Sequence, residues 1–202
     1  MPKKRQLFDL FDSAIYFEGE RALLGLIEAL DHGGSLAKVP NLIYRRGDEI
    51  RVNPPASPEE LETRPLPDYE GLPLDRYLAP ERIFPVEACR GCYWRRCAFC
   101  NLGYGQSDVY RARSPQSVVE EMAALQGRYN VRFFFFVDEA LPPTLLAGLS
   151  KAISERGLDV RWAACVRFEP HIESSLLQAM REAGCRMLMY GLESGAQRVL
   201  ER

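Results

Sequence analysis

Strand-like and helix-like segments alternate along this chain from residue 83 to its end. Each short apolar run is followed by a segment with apolar residues at helical spacing, the pattern of repeated β-α units. Such units form right-handed crossovers and a parallel sheet. The predicted strands are 83–88, 131–137, 160–166 and 187–190, and the predicted helices begin at Pro115, Pro143, His171 and shortly before Arg202. Four such units do not close a barrel, so the pattern predicts an α/β fold in which residues 83–202 form the N-terminal part of a β/α barrel of parallel strands.

The first 52 residues hold too few elements for an independent domain. A strand over 14–17, a helix ending at Gly33 and a hairpin over 41–52 are predicted there. We interpret residues 1–52 as the C-terminal remnant of an α/β, Rossmann-like domain, and the chain as a piece of a longer protein. Residues 53–82 hold half of the chain's 14 prolines and are predicted to be a linker, with 66–69 strapped onto a neighbouring surface.

The overall charge and hydropathy exclude two classes of partner. The net charge is −2, whereas binding to nucleic acid needs a strongly basic surface. No apolar run is long enough for a membrane span, and no secretory signal opens the chain. We therefore expect a cytoplasmic protein with no nucleic-acid or membrane partner.

Three cysteines lie within nine residues directly after the first predicted strand, as Cys92-Tyr-Trp-Arg-Arg-Cys97-Ala-Phe-Cys100. Thiolates this close in sequence are typical ligands of a soft metal centre. Three of them on a four-iron cluster would leave one iron open for a small molecule.

Two other metal sites fit the same spacing. Cys89 adds a fourth thiol, so that paired Cys-x2-Cys motifs could close a zinc site in a binding module without catalysis. The spacing from Cys92 to Cys100 also matches plant-type [2Fe–2S] proteins, which need a distant fourth cysteine. The β-α units that follow the loop favour the three-cysteine cluster.

Polar side chains follow the other predicted strands as well. Asp138 and Glu139 come after the second strand, Arg167 after the third, and Glu193 and Ser194 after the fourth. The carboxyl ends of parallel strands share one edge of a sheet, where functional groups gather. We therefore expect these side chains on one rim with the cysteine loop.

The order of these motifs, from the cysteine loop through the acidic end of the second strand to Gly191-Leu-Glu-Ser-Gly195, resembles the radical S-adenosylmethionine superfamily. It is most similar to members that carry a cobalamin-binding domain before the barrel. The resemblance covers residues 12–202 and implies a [4Fe–4S] cluster on Cys92, Cys97 and Cys100. One departure is the spacing between the first two cysteines, which is four residues here and three in most of the superfamily.

The resemblance also implies where S-adenosylmethionine would bind. Phe99 would lie beside the adenine, and Asp138 or Glu139 would accept hydrogen bonds from the amino group. Arg167 would pair with the carboxylate, while Glu193 and Ser194 would bind the ribose or the amino group. The competing interpretations are loop packing for Phe99, helix capping for the acidic residues and Ser194, and an ion pair with Glu169 for Arg167. No residue is assigned as catalytic.

The resemblance implies a one-electron donor of the flavodoxin or ferredoxin type and a small-molecule or peptide substrate. Cobalamin is a possible cofactor. However, the chain has no Asp-x-His-x-x-Gly motif, the usual signature of a histidine that ligates cobalamin.

Overall fold

A computed structural model describes residues 8–100 and 109–200 of the chain. Contacts divide these residues into two compact units, the first ending at Glu60 and the second beginning at Leu61. The division falls inside the proline-rich segment, and the predicted organisation into residues 1–52, 53–82 and 83–202 stays a prediction.

The first unit is a three-stranded antiparallel sheet with one helix. Its elements are β1 (Ser13–Ile15), α1 (Glu20–Asp31), β2 (Leu42–Arg46) and β3 (Glu49–Val52), and the sheet order is β1-β2-β3. Val39, Leu42 and Tyr44 form its small core. The hairpin β2–β3 is as predicted. The Rossmann-like remnant is not confirmed, because every strand pair described in this unit is antiparallel.

The second unit is built on a four-stranded sheet, and its strands are the four that the β-α pattern predicted. Its order is β4 (Ile83–Val86), β7 (Phe133–Phe136), β8 (Arg161–Val166) and β9 (Cys185–Tyr190), and every neighbouring pair is parallel. The crossovers contain α2 (Pro115–Tyr129), α3 (Pro143–Arg156) and α4 (Ser174–Glu182), and α5 (Gln197–Leu200) follows β9. A two-stranded antiparallel ribbon, β5 (Cys89–Arg90) with β6 (Arg111–Ala112), flanks the cysteine loop.

One face of the parallel sheet carries the hydrophobic core. Phe134, Phe136 and Trp162 are fully buried there against apolar residues of α2, α3 and α4. The Trp162 ring meets Phe136 edge-on, and its Nε1 donates to the Ala183 carbonyl at 2.9 Å. The core therefore fixes the three helices to the strands that end at the predicted rim.

The opposite face of the sheet is less buried but is also apolar. The strand register aligns Pro85, Phe135, Ala163 and Met187 in one row across all four strands. Met187 is 51 % exposed, and Met189 in the next row is 37 % exposed. We call Pro85, Phe135, Ala163 and Met187 the open-face row.

The predicted strap packs onto the second unit. The Tyr69 ring lies 4.3 Å from the Phe84 ring, and the Tyr69 amide donates to the Tyr129 hydroxyl at 2.9 Å. Short 3-10 turns at Leu61–Thr63 and Leu74–Arg76 interrupt the segment. Residues 61–82 are therefore not a free extended linker, because aromatic packing holds them against β4 and α2.

Local sequence signals set the helix ends. The Ser114 side chain accepts the Ser117 amide as the N-cap of α2, with Pro115 at the first helical position. The bounds of α3 match the prediction, and Gly157 ends this helix in the left-handed conformation. The helix predicted from His171 begins instead at Ser174. Among the described residues, no helix is long and apolar enough to cross a membrane.

Gly184 allows a close approach between the α4–β9 turn and the start of β8. Its φ is +92°, and a Cβ added there would lie 2.0 Å from the Val160 carbonyl oxygen. Gly184→Ala is expected to lower the free energy of unfolding by about 3 kcal/mol, because strain in the backbone adds to a clash with backbone atoms. Urea denaturation measures the loss.

Gly157→Ala is the matched control. Gly157 also has positive φ, +63°, but a Cβ there would meet no atom within 4 Å. A loss of only about 1 kcal/mol is expected from the left-handed backbone alone. Equal losses for the two variants would show that the close approach contributes nothing.

Candidate functional site

The carboxyl end of the sheet brings the predicted rim residues to one edge. Backbone hydrogen bonds tie the strand ends together, from the Val137 amide to the Val86 carbonyl at 3.0 Å and from the Leu141 amide to the Cys165 carbonyl at 3.0 Å. The strands β4, β7, β8 and β9 all end at this edge, and the cysteine loop follows β4 there. The edge therefore has the position that functional sites take in parallel sheets.

Asp138 fastens the start of the cysteine loop to the end of β7. Its carboxylate accepts the Ala88 amide at 3.0 Å and also accepts the Cys89 amide. Asp138 is only 3 % exposed, and burial raises the pKa of its carboxyl to about 6 despite these hydrogen bonds. It does not cap α3, whose N-cap is Pro142, so the capping interpretation of Asp138 was wrong.

Cys89 is part of the same buried cluster. Its side chain hydrogen-bonds to Asp138 and to Tyr110, and burial together with the nearby Asp138 carboxylate raises the pKa of its thiol. The antiparallel ribbon pairs Cys89 with Ala112, and the Arg113 amide donates to the Ala88 carbonyl at 2.8 Å. Cys89 is thus a buried thiol engaged with Asp138 and Tyr110, and this placement disfavours it as a zinc ligand.

The three cysteines of the motif differ from Cys89 in exposure. Cys92 and Cys97 are half-buried and Cys100 is exposed, with a turn bond of 3.1 Å from the Cys100 amide to the Cys97 carbonyl. Within residues 8–100 and 109–200, no three His, Cys, Asp or Glu side chains surround a single metal position. In a four-iron cluster each thiolate binds a different iron, so the sulfurs need not converge on one point. Three accessible thiols beside the buried Cys89 are a donor set that fits a cluster with one open iron.

Arg167 joins the residues after β8 to the cysteine loop. Its guanidinium carbon lies 3.9 Å from the Trp94 ring centroid, and its Nε lies 3.6 Å from Glu169 Oε1. That same oxygen accepts the Tyr93 hydroxyl at 2.8 Å. Burial and this hydrogen bond raise the pKa of Tyr93, which therefore stays protonated and donates. We call Tyr93, Trp94, Arg167 and Glu169 the arginine cluster.

The remaining predicted site residues lie at the edge of the sheet without joining the arginine cluster. Phe99 is 67 % exposed on the loop, and Glu139 and Glu193 are exposed beside the ends of β7 and β9. The Ser194 hydroxyl accepts the Ala196 amide at 3.1 Å, just before α5 begins at Gln197. Glu193 adopts positive φ, +58°. Their assignment to a bound nucleotide stays a prediction.

Sequence reasoning did not assign Tyr93 and Trp94 to the site, and it named Glu169 as the alternative ion-pair partner of Arg167, a contact that the structure contains. The aromatic pair in the cysteine loop and the Arg-Phe-Glu sequence after β8 were the available signals. The contact between them could not be read from the chain, because the two segments are 76 positions apart.

Curated relatives of this chain include proteins named as a methyltransferase and as a cyclase. The chain is 31 % identical to an uncharacterized methyltransferase of Pyrococcus horikoshii, over 94 % of this chain and 42 % of the relative. It is 30 % identical to the anaerobic magnesium-protoporphyrin IX monomethyl ester cyclase of Rubrivivax gelatinosus, over 94 % of this chain and 36 % of the relative. No family model matches. The chain thus spans about two fifths of the length of these relatives.

Solved structures share the fold. TsrM of Kitasatospora setae, a radical S-adenosylmethionine methyltransferase with tryptophan and an S-adenosylmethionine analogue bound, matches with a TM-score of 0.72 and 21 % identity over 94 % of this chain and 39 % of that one. A second match is OxsB, a cobalamin-dependent S-adenosylmethionine radical enzyme with aqua-cobalamin and S-adenosylmethionine bound. Its TM-score is 0.72 at 19 % identity, and the match covers 98 % of this chain and 30 % of OxsB. At 19–21 % identity these matches show that the chain shares its fold with enzymes of the kind that the predicted resemblance names.

Burial of Asp138 predicts a pH-dependent stability. Because the pKa in the folded chain is about 6 and that of a free Asp is about 4, the folded state keeps a proton that the unfolded chain loses. Stability from this group is present below about pH 4 and is lost as the pH rises through 6. An asparagine at position 138 does not titrate. Between pH 4 and pH 7 the unfolding free energy of Asp138→Asn should therefore fall by about 2–3 kcal/mol less than that of the parent chain.

Urea denaturation at the two pH values measures this difference. The exposed neighbour offers the control, since Glu139→Gln should leave the pH dependence unchanged. If Asp138→Asn keeps the full pH dependence of the parent chain, burial of this carboxyl does not govern its protonation.

Proposed function

We propose that this chain carries the cluster-binding part of a radical S-adenosylmethionine enzyme, with a [4Fe–4S] cluster held by Cys92, Cys97 and Cys100. The observation that carries the proposal is a loop of three accessible cysteines at the functional edge of a parallel sheet. When bound, the cluster supplies one electron and an open iron, so that the sulfonium C–S bond breaks to give methionine and a 5′-deoxyadenosyl radical, which takes a hydrogen atom from the substrate.

The chain's own residues would bind and orient S-adenosylmethionine. Arg167 offers a guanidinium to the carboxylate of the methionine moiety. Glu139 is the better candidate for the amino group, because the Asp138 carboxylate is occupied by backbone amides. Phe99 provides an exposed ring for the adenine, and Glu193 and Ser194 are proposed for the ribose or the amino group.

A β/α barrel remains our proposal for the complete fold. Two features of the second unit support it, namely the parallel sheet with its core on one face and the apolar open-face row on the other. In a barrel the second face lies inside and is filled by layers of apolar side chains.

The partners follow from the proposed chemistry. Reductive cleavage needs a one-electron donor of the flavodoxin or ferredoxin type, and the radical needs a small-molecule or peptide substrate. The relatives named as methyltransferase and cyclase make both reactions candidates, and the cobalamin dependence of OxsB makes cobalamin a candidate cofactor. Reduced thiolates for a cluster are compatible with a cytoplasmic location.

Anaerobic reconstitution with iron and sulfide tests the cluster. The parent chain should bind about four irons, and Cys92→Ser, Cys97→Ser or Cys100→Ser should lose most of this iron because each thiolate ligates a different iron. Iron analysis and the absorption spectrum measure the outcome. With dithionite and S-adenosylmethionine, the reconstituted parent chain should form 5′-deoxyadenosine.

Cys89→Ala is the matched control, since Cys89 lies three residues before the motif but is buried. It should keep the full iron content. The zinc-binding module would be established instead if the parent chain binds zinc but no iron, and if Cys89→Ala loses that zinc.

A further inference from the structure

The arginine cluster contains a charged donor without a partner. The Nη1 atom of Arg167 is buried from solvent and has no hydrogen-bond partner among the described residues. Burying a charged donor without a partner is costly, so native proteins rarely leave one unsatisfied. An acceptor other than the described residues explains this atom best.

The neighbours of Arg167 restrict the orientation of its guanidinium. Trp94 lies against the guanidinium at 3.9 Å, a cation–π contact that leaves the in-plane N–H groups unused. Glu169 Oε1 lies 3.6 Å from Nε. The Tyr93 hydroxyl fixes the Glu169 carboxylate in turn, at 2.8 Å. Two contacts therefore hold the guanidinium, while Nη1 has no hydrogen-bond partner among the described residues.

Building on the proposed function, we propose that Trp94, with Tyr93 and Glu169, positions Arg167 so that its Nη1 donates to the carboxylate of bound S-adenosylmethionine. The arginine would contact the ligand, and the other three residues would act through it. Both positioning aromatics come from the four-residue spacer between Cys92 and Cys97. The longer spacer thus has a role in this chain, since it supplies the ring that covers the arginine.

The test compares two ligands that differ only in the carboxylate. S-adenosylmethionine and its decarboxylated form are bound anaerobically to the reconstituted chain, and equilibrium dialysis gives both dissociation constants. The parent chain should prefer S-adenosylmethionine. In Trp94→Leu and Arg167→Gln this preference should shrink by about tenfold, while iron content and the cluster's electron paramagnetic resonance spectrum stay unchanged.

Two further variants separate positioning from general damage to the loop. Trp94→Phe keeps an aromatic face and should restore most of the preference. Arg96→Gln removes another cation beside the same ring, 5.3 Å from its centroid, and should leave the preference as in the parent.

Each outcome decides between the two proposals. An iron-loaded parent chain that fails to bind S-adenosylmethionine overturns the proposed function. A parent chain that binds it, with the same preference retained in Trp94→Leu, overturns only the positioning role. Loss of iron in both Trp94→Leu and Trp94→Phe also overturns that role, because Trp94 would then serve to hold the cysteine loop.

Discussion

The hydrogen bonds from the Ala88 and Cys89 amides to the Asp138 carboxylate are the contact on which the candidate site depends. They link the end of β7 to the cysteine loop that follows β4. They lie in the interior of the protein, where Asp138 is almost inaccessible to solvent. Hydrogen bonds of this kind are stronger in a low dielectric than at the surface. The loop therefore starts from a fixed point, and its three accessible cysteines follow from there.

A second set of contacts holds the middle of the loop. Tyr93 and Trp94 reach Glu169 and Arg167 beyond the next strand, so the loop is attached to both β7 and β8. A cluster-binding loop needs this kind of support, because ligands must be held in place by the residues behind them. The two attachments differ in chemistry. One is a buried carboxylate on backbone amides, and the other is an arginine stacked on an indole.

The sequence predicted the parallel sheet and the rim well, because both follow from local signals. The alternation of segments from residue 83, the Ser114 N-cap and the stop at Gly157 are each encoded within a few positions. The role of Asp138 was missed. A carboxylate after a strand can cap a helix, bind a ligand or accept backbone amides of a neighbouring loop, and the sequence does not distinguish these roles until its partners are known. The antiparallel pairing of β1 with β2 was missed for the same reason, because pairing between distant segments leaves no local signature.

The open-face row has a chemical consequence for handling the protein. Met187 and Met189 carry thioethers that are 51 % and 37 % exposed at the sheet's uncovered surface. Oxidants convert an accessible thioether to a sulfoxide, which is polar and bulkier. Such a change would place an S=O dipole on an otherwise apolar layer of side chains. Peroxide and related oxidants would thus damage this chain at a second place besides its cysteines, and a methionine sulfoxide reductase, rather than a thiol reductant, would be needed to reverse that damage.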